Sequence, residues 1–496
     1  GSITAGDWCR IGATMDGLGE KCAVFGIYGK GMDVARLSYF GLFALQHRGQ
    51  ESSGIAVGDG NQIRYHKDHG LVAQVFTEAA IDALKGDIAI GHNRYSTSKG
   101  TAPEHIQPIV VGDWTLALAH NGNLPSTKAL ELFLSDKISN LDLLSDSGLM
   151  AEAINWYLLQ GLSLGEAVKT SYPLFTGAFS LLVMTKDTLV AARDAYGIRP
   201  LSLARQNGGF IVSSETCAFS AIDSQFIREV LPGEMITINE TGMHAEQIVE
   251  GNQKLDIFEF IYFARHDSEI LGKSVYQVRK NFGKTLAREY PIDADVVIGV
   301  PETSLPCALG YAQESGIPYE MGLNKNRYIQ RTFIQPTQKM RNQSVKMKLT
   351  PIPNLLKGKR VLVIDDSIVR GTTSKRIVAL LFEAGAKEVH FVLSSPPIIF
   401  PDFYGIDTPT QENLLAYGRS VEEIRAYIGA TSLYFLSLDG LISSTGLSKD
   451  HFNTSCFTGE YPIDLLERYG EVKYPARDGG SDPIAPNVWL RILNRV

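Results

Sequence analysis

A chain of 496 residues, 44% hydrophobic and 20% charged, has room for two or three globular domains. Its net charge of -7 excludes nucleic-acid binding by bulk electrostatics, and no apolar run approaches the roughly 18 residues of a membrane-spanning helix. The 5 cysteines are scattered without a CxxC pair, which argues against a disulfide scaffold or a zinc site and fits a reducing, cytoplasmic setting.

Residues 1–21 are small, polar and glycine-rich. Gly1-Ser2 looks vector-derived, Met15 is a candidate start, and the absence of an apolar core rules out a secretory signal. The stretch is expected to be a leader ahead of Cys22. Cys22-Ala-Val-Phe-Gly-Ile-Tyr-Gly29 reads as a strand. Further strands are expected at Gly54–Gly58, Asp87–Tyr95, Thr115–His120, Ala178–Thr185, Thr188–Asp194, Phe210–Ser214 and Leu231–Ile238. Helices fit Met32–Leu45, Ser126–Leu134 and Ser147–Leu159. This mixture predicts a layered sheet-and-helix domain, with the polar residues 241–256 as the crossover to a second domain.

The loops of this first half hold the polar groups: Gln46-His47-Arg48-Gly49-Gln50, Gly91-His-Asn-Arg94-Tyr95-Ser-Thr97, His120-Asn121-Gly122-Asn123 and Leu144-Ser-Asp146-Ser147. Each has an ordinary explanation alone. Asn-Gly is a common turn, and Ser or Asp before a helix is a cap. Together they supply the parts for an amide-hydrolysing thiol: a nucleophile, an Asn side chain and an exposed amide as oxyanion donors, an Arg for a carboxylate and an Asp for an ammonium.

The second half opens near Phe258–Arg265, with Arg265 a candidate coupler at the junction. A helix is predicted over Val275–Tyr290 and a buried parallel strand over Asp295–Val300, which ends in Pro301-Glu302-Thr303-Ser304. Lys325 to Lys348 is the most basic window of the chain and reads as a lid over pyrophosphate. Val361-Leu-Val-Ile364 then reads as a strand buried on both faces. Asp365 and Asp366 stand at its carboxyl end, before the hydroxyl-rich loop Ser367, Gly371, Thr372, Thr373, Ser374. An amphipathic helix follows, with Ile377, Val378, Leu380, Leu381 and Ala384 on one face, and it stops at Gly385. Strand, acidic pair, hydroxyl loop and helix N-terminus make a phosphate cradle. The acidic pair suits ribose hydroxyls or a Mg²⁺ that the substrate also ligates. Another parallel strand is expected at Lys387–Ser395. Residues 408–470 read as additions wrapping the core, and 471–496 as a tail.

The loop motifs of the first half, with Cys22 and Gly-Ile-Tyr-Gly, resemble the class II glutamine amidotransferase domain of the N-terminal-nucleophile hydrolases. Val-Ile-Asp-Asp-Ser-Ile-Val-Arg-Gly-Thr-Thr resembles the phosphoribosylpyrophosphate (PRPP) motif of type I phosphoribosyltransferases. Joined, the halves are similar over about residues 22–470 to the glutamine PRPP amidotransferase family. The resemblance implies an αββα sandwich over 22–255, followed by an open parallel sheet flanked by helices over 256–470. It implies that Cys22 becomes the first residue once the leader is removed, with its α-amino group as base. Asn121 and the Gly122 N–H would form the oxyanion hole. Arg94 and Asp146 would hold glutamine, supported by Arg48 and Thr97. PRPP would be bound by Asp365, Asp366, Ser367, Arg370, Gly371, Thr372, Thr373, Lys325 and Arg331. One Mg²⁺ would be held by Thr303, Asp365 and Asp366.

The implied reaction converts PRPP, glutamine and water into 5-phosphoribosylamine, glutamate and pyrophosphate, the first committed step of de novo purine synthesis, with ammonia channelled between two sites. The resemblance also implies a homo-oligomer, tetramer or dimer, inhibited by purine nucleotides. Some members carry a [4Fe–4S] cluster, which needs four thiolates. Here Asp256 and Asp402 stand at cluster positions and Cys456 is the one cysteine before Phe457-Thr-Gly, so no cluster is expected. Glucosamine-6-phosphate synthase and asparagine synthetase share the first domain's class but would lack the PRPP motif. A PRPP-sensing regulator without glutaminase activity would need neither Cys22 nor the oxyanion residues.

Overall fold

The Ala23–Tyr28 strand is apolar at nearly every position because both of its faces are covered. In this computed structural model, which describes residues 22–95, 102–328, 337 and 341–474, it lies in the middle of a seven-stranded antiparallel sheet. The strand order is Gln225–Glu229, Ser202–Gln206, Gly209–Ser213, Ala23–Tyr28, Ile88–Arg94, Ser52–Gly58, Ile63–His69. A second, six-stranded sheet runs Gly242–Gln247, Glu234–Asn239, Leu189–Arg193, Ala178–Met184, Leu116–Asn123, Ile109–Val111. Side chains alternate between layers with the strand period of two. Val24 points between the sheets with Ile90, Ala119 and Leu182. Ala23, Phe25 and Ile27 point outward against Val34, Ala35 and Leu42 of the helix Val34–Ala44. On the far side, Leu149, Met150 and Ile154 of the helix Asp146–Leu159 cover Leu116, Leu118 and Leu181. Helix, sheet, sheet, helix is the four-layer sandwich expected from the motifs.

Several strands differ from the sequence reading. Ile63–His69 and Gly242–Gln247 are strands, and the latter pairs along its whole length with Glu234–Asn239. Residues 241–256 are therefore not simply a crossover. Both strands lie at sheet edges and carry mostly polar, solvent-facing residues, so no apolar alternation marks them.

The second half is built on a parallel sheet in the order Val296–Gly299, Arg360–Asp365, Glu388–Leu393, Ser432–Phe435. Its central strands are buried on both faces, by the helices Val275–Glu289 and Leu305–Ser315 on one side and by Thr372–Glu383 on the other. The Ser432–Phe435 strand belongs to this sheet, so 408–470 does not merely wrap the core. The chain stays packed through Tyr474, whose ring lies 5.4 Å from that of Phe400. No helix among the described residues is long and apolar enough to cross a membrane.

Candidate active sites

The first site forms where strand ends of the two sheets meet. Ala23 pairs with Asn93 in antiparallel register, so Cys22, one position earlier, falls opposite Arg94. His92 lies buried in the same strand. Its Nε2 donates to the carbonyl of His120 at 3.0 Å, bridging the sheets one residue before Asn121. Burial holds the His92 imidazole down to about 3, so it is neutral and acts as a strut. Asn121 is 3% exposed, and its Nδ2 has no hydrogen-bond partner among the described residues. An orphaned buried amide donor is costly unless a ligand accepts from it. Gly122 follows at φ 139°, and a Cβ there would lie 2.1 Å from the Ala178 carbonyl oxygen. Glycine is thus required by both backbone angle and close approach.

Asp146 is the first residue of its helix, which Ser145 caps by accepting from Gly148 N. Its Oδ2 accepts from Leu124 N at 3.2 Å, and its Oδ1 accepts from Ser147 N at 2.7 Å. Gln107, absent from the sequence-based site, braces this corner: its Oε1 accepts from His120 N at 2.6 Å and its Nε2 donates to Ser147 Oγ at 3.2 Å. Arg94 is partly exposed, with one long bond to the His105 carbonyl at 3.4 Å. Thr97 lies outside the described residues.

Arg48 takes a different place from the glutamine pocket assigned to it. It is fully buried. Nε donates to the Cys22 carbonyl at 2.8 Å, Nη1 to Glu215 at 2.9 Å and to Glu259 at 2.8 Å, and Nη2 to Glu259 at 2.8 Å. Four of its five N–H groups are therefore engaged with protein, one of them with the Cys22 backbone. Glu259 sits on a buried turn of π-helix, Glu259–Phe263, that belongs to the second half of the chain. Glu215 also accepts from the Arg265 amide at 2.8 Å and from Ser268 Oγ at 2.7 Å. The cations around Glu215 hold its carboxyl below the usual range despite burial. Neither glutamate stands out in the sequence, because a buried charge carries no local signature.

Cys22 is partly exposed, whereas Cys217, Cys307 and Cys456 are buried. Burial pushes the Cys217 thiol up to about 12 and raises the other two as well. Among the described residues, Cys22 is therefore the cysteine best placed to react.

The second site lies at the carboxyl end of the parallel sheet. Gly299 pairs with Ile364, and Val300 N donates to the Ile364 carbonyl at 2.9 Å. The turn 301–304 with Thr303 therefore opens beside Asp365 and Asp366, as the strand-end rule requires. Ser367, Gly371, Thr372 and Thr373 lead into the helix Thr372–Glu383. Gly371 has φ 79°, and a Cβ there would lie 2.3 Å from Leu415 Cδ2. Arg370 is exposed. Lys325 ends a short strand, Leu323–Lys325, paired with Leu349–Pro351, and burial lowers its ammonium's pKa. Arg331 lies outside the described residues, as do 329–336 and 338–340 of the basic window.

His266 ties the 301–304 turn to the interior. Its Nε2 donates to the Glu302 carbonyl at 3.0 Å, so its Nδ1 accepts from Arg279 Nη1 at 2.9 Å. Arg279 Nε in turn donates to the Phe260 carbonyl at 2.8 Å, one residue from Glu259.

The donor set around Thr303, Asp365 and Asp366 is hard oxygen, which suits Mg²⁺. Among the described residues no protein-only cage of three ligating side chains exists. Mg²⁺ shared with substrate phosphates needs none. An iron–sulfur cluster fits less well. Asp256 and Asp402 do gather near Cys456, but two carboxylates and one thiol are present, and Arg199 Nη2 lies 3.4 Å from Asp256. Four thiolates are required.

Comparison with known proteins matches both halves of the chain. Residues 92–221 match the glutamine amidotransferase domain and residues 268–395 the phosphoribosyl transferase domain. An amidophosphoribosyltransferase of Bacillus subtilis is 46% identical over 463 residues, covering 92% of this chain and 97% of that protein. One of Synechococcus elongatus is 46% identical over 473 residues, covering 94% and 96%. A solved structure described as the allosteric regulatory enzyme of purine biosynthesis superposes with a TM-score of 0.85 at 44% identity, over 94% of this chain and 99% of the other. The B. subtilis glutamine PRPP amidotransferase complexed with ADP and GMP superposes with a TM-score of 0.84 at 44% identity, over 94% and 100%. With both domains matched in order and similarity running almost end to end, the chain belongs to the amidophosphoribosyltransferase family of glutamine-dependent pentosyltransferases.

Proposed function

We propose that the enzyme divides its reaction between the two sites as follows. Cleavage between Lys21 and Cys22 frees the Cys22 α-amino group, whose ordinary pKa of about 7.7–8.0 suits a base at neutral pH. That amine takes the thiol proton while sulfur attacks the carboxamide carbon of glutamine. The oxygen's developing charge is met by Asn121 Nδ2 and the Gly122 N–H. The Cys22 α-ammonium returns its proton to the leaving nitrogen, the C–N bond breaks and ammonia leaves. Water then cleaves the thioester to glutamate and restores the thiol. Arg94 pairs with the α-carboxylate, where two parallel N–H bonds can form, and Asp146 with the α-ammonium. Thr97 is a further candidate for this pocket.

Ammonia passes through the interior to the second site and displaces pyrophosphate from ribose C1. Asp365 and Asp366 hold the ribose hydroxyls. Ser367, Arg370, Gly371, Thr372 and Thr373 hold the 5-phosphate at the helix N-terminus. Lys325 and Arg331 face the pyrophosphate. Mg²⁺, held by Thr303 and the two aspartates, would neutralise the leaving group's charge. Purine nucleotides inhibit the enzyme, as the ADP and GMP in the B. subtilis relative encourage, and it works as a homo-oligomer in a reducing cytoplasm.

The observation that carries the glutaminase half is the orphaned Asn121 amide beside Gly122, on the strand tied to Cys22's sheet by His92. The test is PRPP-dependent pyrophosphate release with glutamine and with ammonium in parallel. Cys22→Ala is expected to abolish the first and spare the second. An equal fall in both would refute the two-site division. Asp365→Asn combined with Asp366→Asn is expected to abolish both.

A further inference from the structure

The back of the oxyanion strand is not covered by its own domain alone. The turn Asp402–Ile406, from the phosphoribosyltransferase half, lies directly against it. A Cβ on Gly405 would lie 3.2 Å from both the Cα and the carbonyl carbon of Gly122, and 3.3 Å from Arg199 Nη2. Gly405 has φ 118°, so no other residue takes its place without strain. Asn123, next after Gly122, donates from Nδ2 to the Phe403 carbonyl at 2.8 Å. Arg199 is 1% exposed. It reaches across from the first domain and donates to the Tyr404 carbonyl from Nε at 3.4 Å and Nη2 at 3.3 Å.

The turn is itself stiff. Asp402 Oδ2 accepts from Tyr404 N at 2.9 Å and Ile406 N at 2.7 Å. Tyr404 Oη donates to the Ile463 carbonyl at 2.5 Å and accepts from Ile463 N at 3.0 Å. Arg199 is fixed in its turn by Asp256 at 3.4 Å and Glu259 at 3.3 Å. The Ala178 carbonyl and Gly405 thus both pack closely against Gly122. Peptide orientation at Gly122 decides where its N–H points. An oxyanion donor misplaced by about 1 Å loses on the order of 100-fold in rate.

We propose that the Asp402–Ile406 turn positions the oxyanion hole of the glutaminase site from the other domain, with Gly405, Asn123 and Arg199 as the positioning residues. This rests on the assignment of Asn121 and Gly122 as oxyanion donors. Gly405→Ala forces the turn or Gly122 to move by a few tenths of an ångström. The expected result is a fall of about 10-fold or more in kcat for glutamine hydrolysis, with KM for glutamine within about 3-fold and ammonia-dependent pyrophosphate release within about 2-fold of wild type. Asn123→Ala adds no bulk, removes one tether, and is expected to give the same split at several-fold size, which covers the case in which Gly405→Ala does not fold. An unchanged kcat in the folded variants overturns the proposal. So does an equal fall in both activities, or a rise in KM with kcat held. Asn121→Ala is measured beside them: if it keeps full glutaminase activity, the oxyanion assignment fails, whatever the positioning variants do.

Discussion

Replacing Arg48 by methionine removes a charge while keeping much of the side chain's length. What it leaves behind can be counted. Glu215 retains His47 Nε2 at 2.6 Å, the Arg265 amide at 2.8 Å and Ser268 Oγ at 2.7 Å. Glu259 retains Arg199 Nη1 at 3.3 Å and loses both of its short bonds. The Cys22 carbonyl loses its bond from Nε. The damage therefore concentrates on Glu259, a fully buried carboxylate left poorly paired. Breaking a buried ion pair in this way costs about 3–5 kcal/mol, and the Cys22 hydrogen bond adds about 1 kcal/mol. Arg48→Met should thus remove about 4–6 kcal/mol, a large share of an ordinary domain's stability. Removing both charges is gentler than removing one. Arg48→Met with Glu259→Met should be less destabilised than the sum of the single variants by at least about 2 kcal/mol. Urea unfolding followed by tryptophan fluorescence reads this out, because Trp114 and Trp156 lie in the first domain. A loss below about 1 kcal/mol for Arg48→Met, or strictly additive single effects, would refute the reasoning.

Asp256 gives a pH dependence. Burial, and then Asp402's like charge against Arg199's attraction, leave its carboxyl raised to about 7. The folded state then holds a proton the unfolded chain has released, so this contribution is complete below about pH 4 and fades as pH rises through about 7. Asp256→Asn mimics the protonated form and should gain on wild type by a few kcal/mol between pH 5.5 and 8; parallel stability curves would contradict this. Gly371→Ala meets Leu415 and a left-handed φ at the loop proposed to hold the 5-phosphate, so KM for PRPP should rise about 10-fold or more with glutaminase chemistry intact, and an unchanged KM counts against the cradle. Chelation of Mg²⁺ should stop pyrophosphate release with either nitrogen donor. Iron analysis should find less than one iron per chain; about four would mean the carboxylates at 256 and 402 had been misjudged.

Sequence reading was sound where covalent order and chemistry coincide. The strands buried on two faces announce themselves as apolar runs, and the loop from Asp365 to Thr373 at the strand end is contiguous, so its residues could be named together. It was weaker where a property exists only in space. Gly242–Gln247 is a strand because Glu234–Asn239 lies beside it, not because of its own residues. Arg48 belongs to a motif, yet its role follows from Glu215 and Glu259, which are 167 and 211 positions away. Glu259, Arg199, Arg279 and Gly405 were invisible as site residues for the same reason. In a sequence, a buried charge reads as a solvated one, and a glycine pressed on another backbone reads as a turn.

The central place of the Ala23–Tyr28 strand has a consequence for biogenesis. Its Val24 amide is satisfied by Ser214, 190 positions further along the chain, and one of its two neighbouring strands is Gly209–Ser213. At about 5–20 residues per second of synthesis, this strand emerges on the order of ten seconds or more before its second neighbour. Such long-range pairing is also slow to form. Cys22 thus waits for residues about 190 positions further along before its strand has both neighbours. Until then its strand has Ile88–Arg94 on one side and no neighbour on the other.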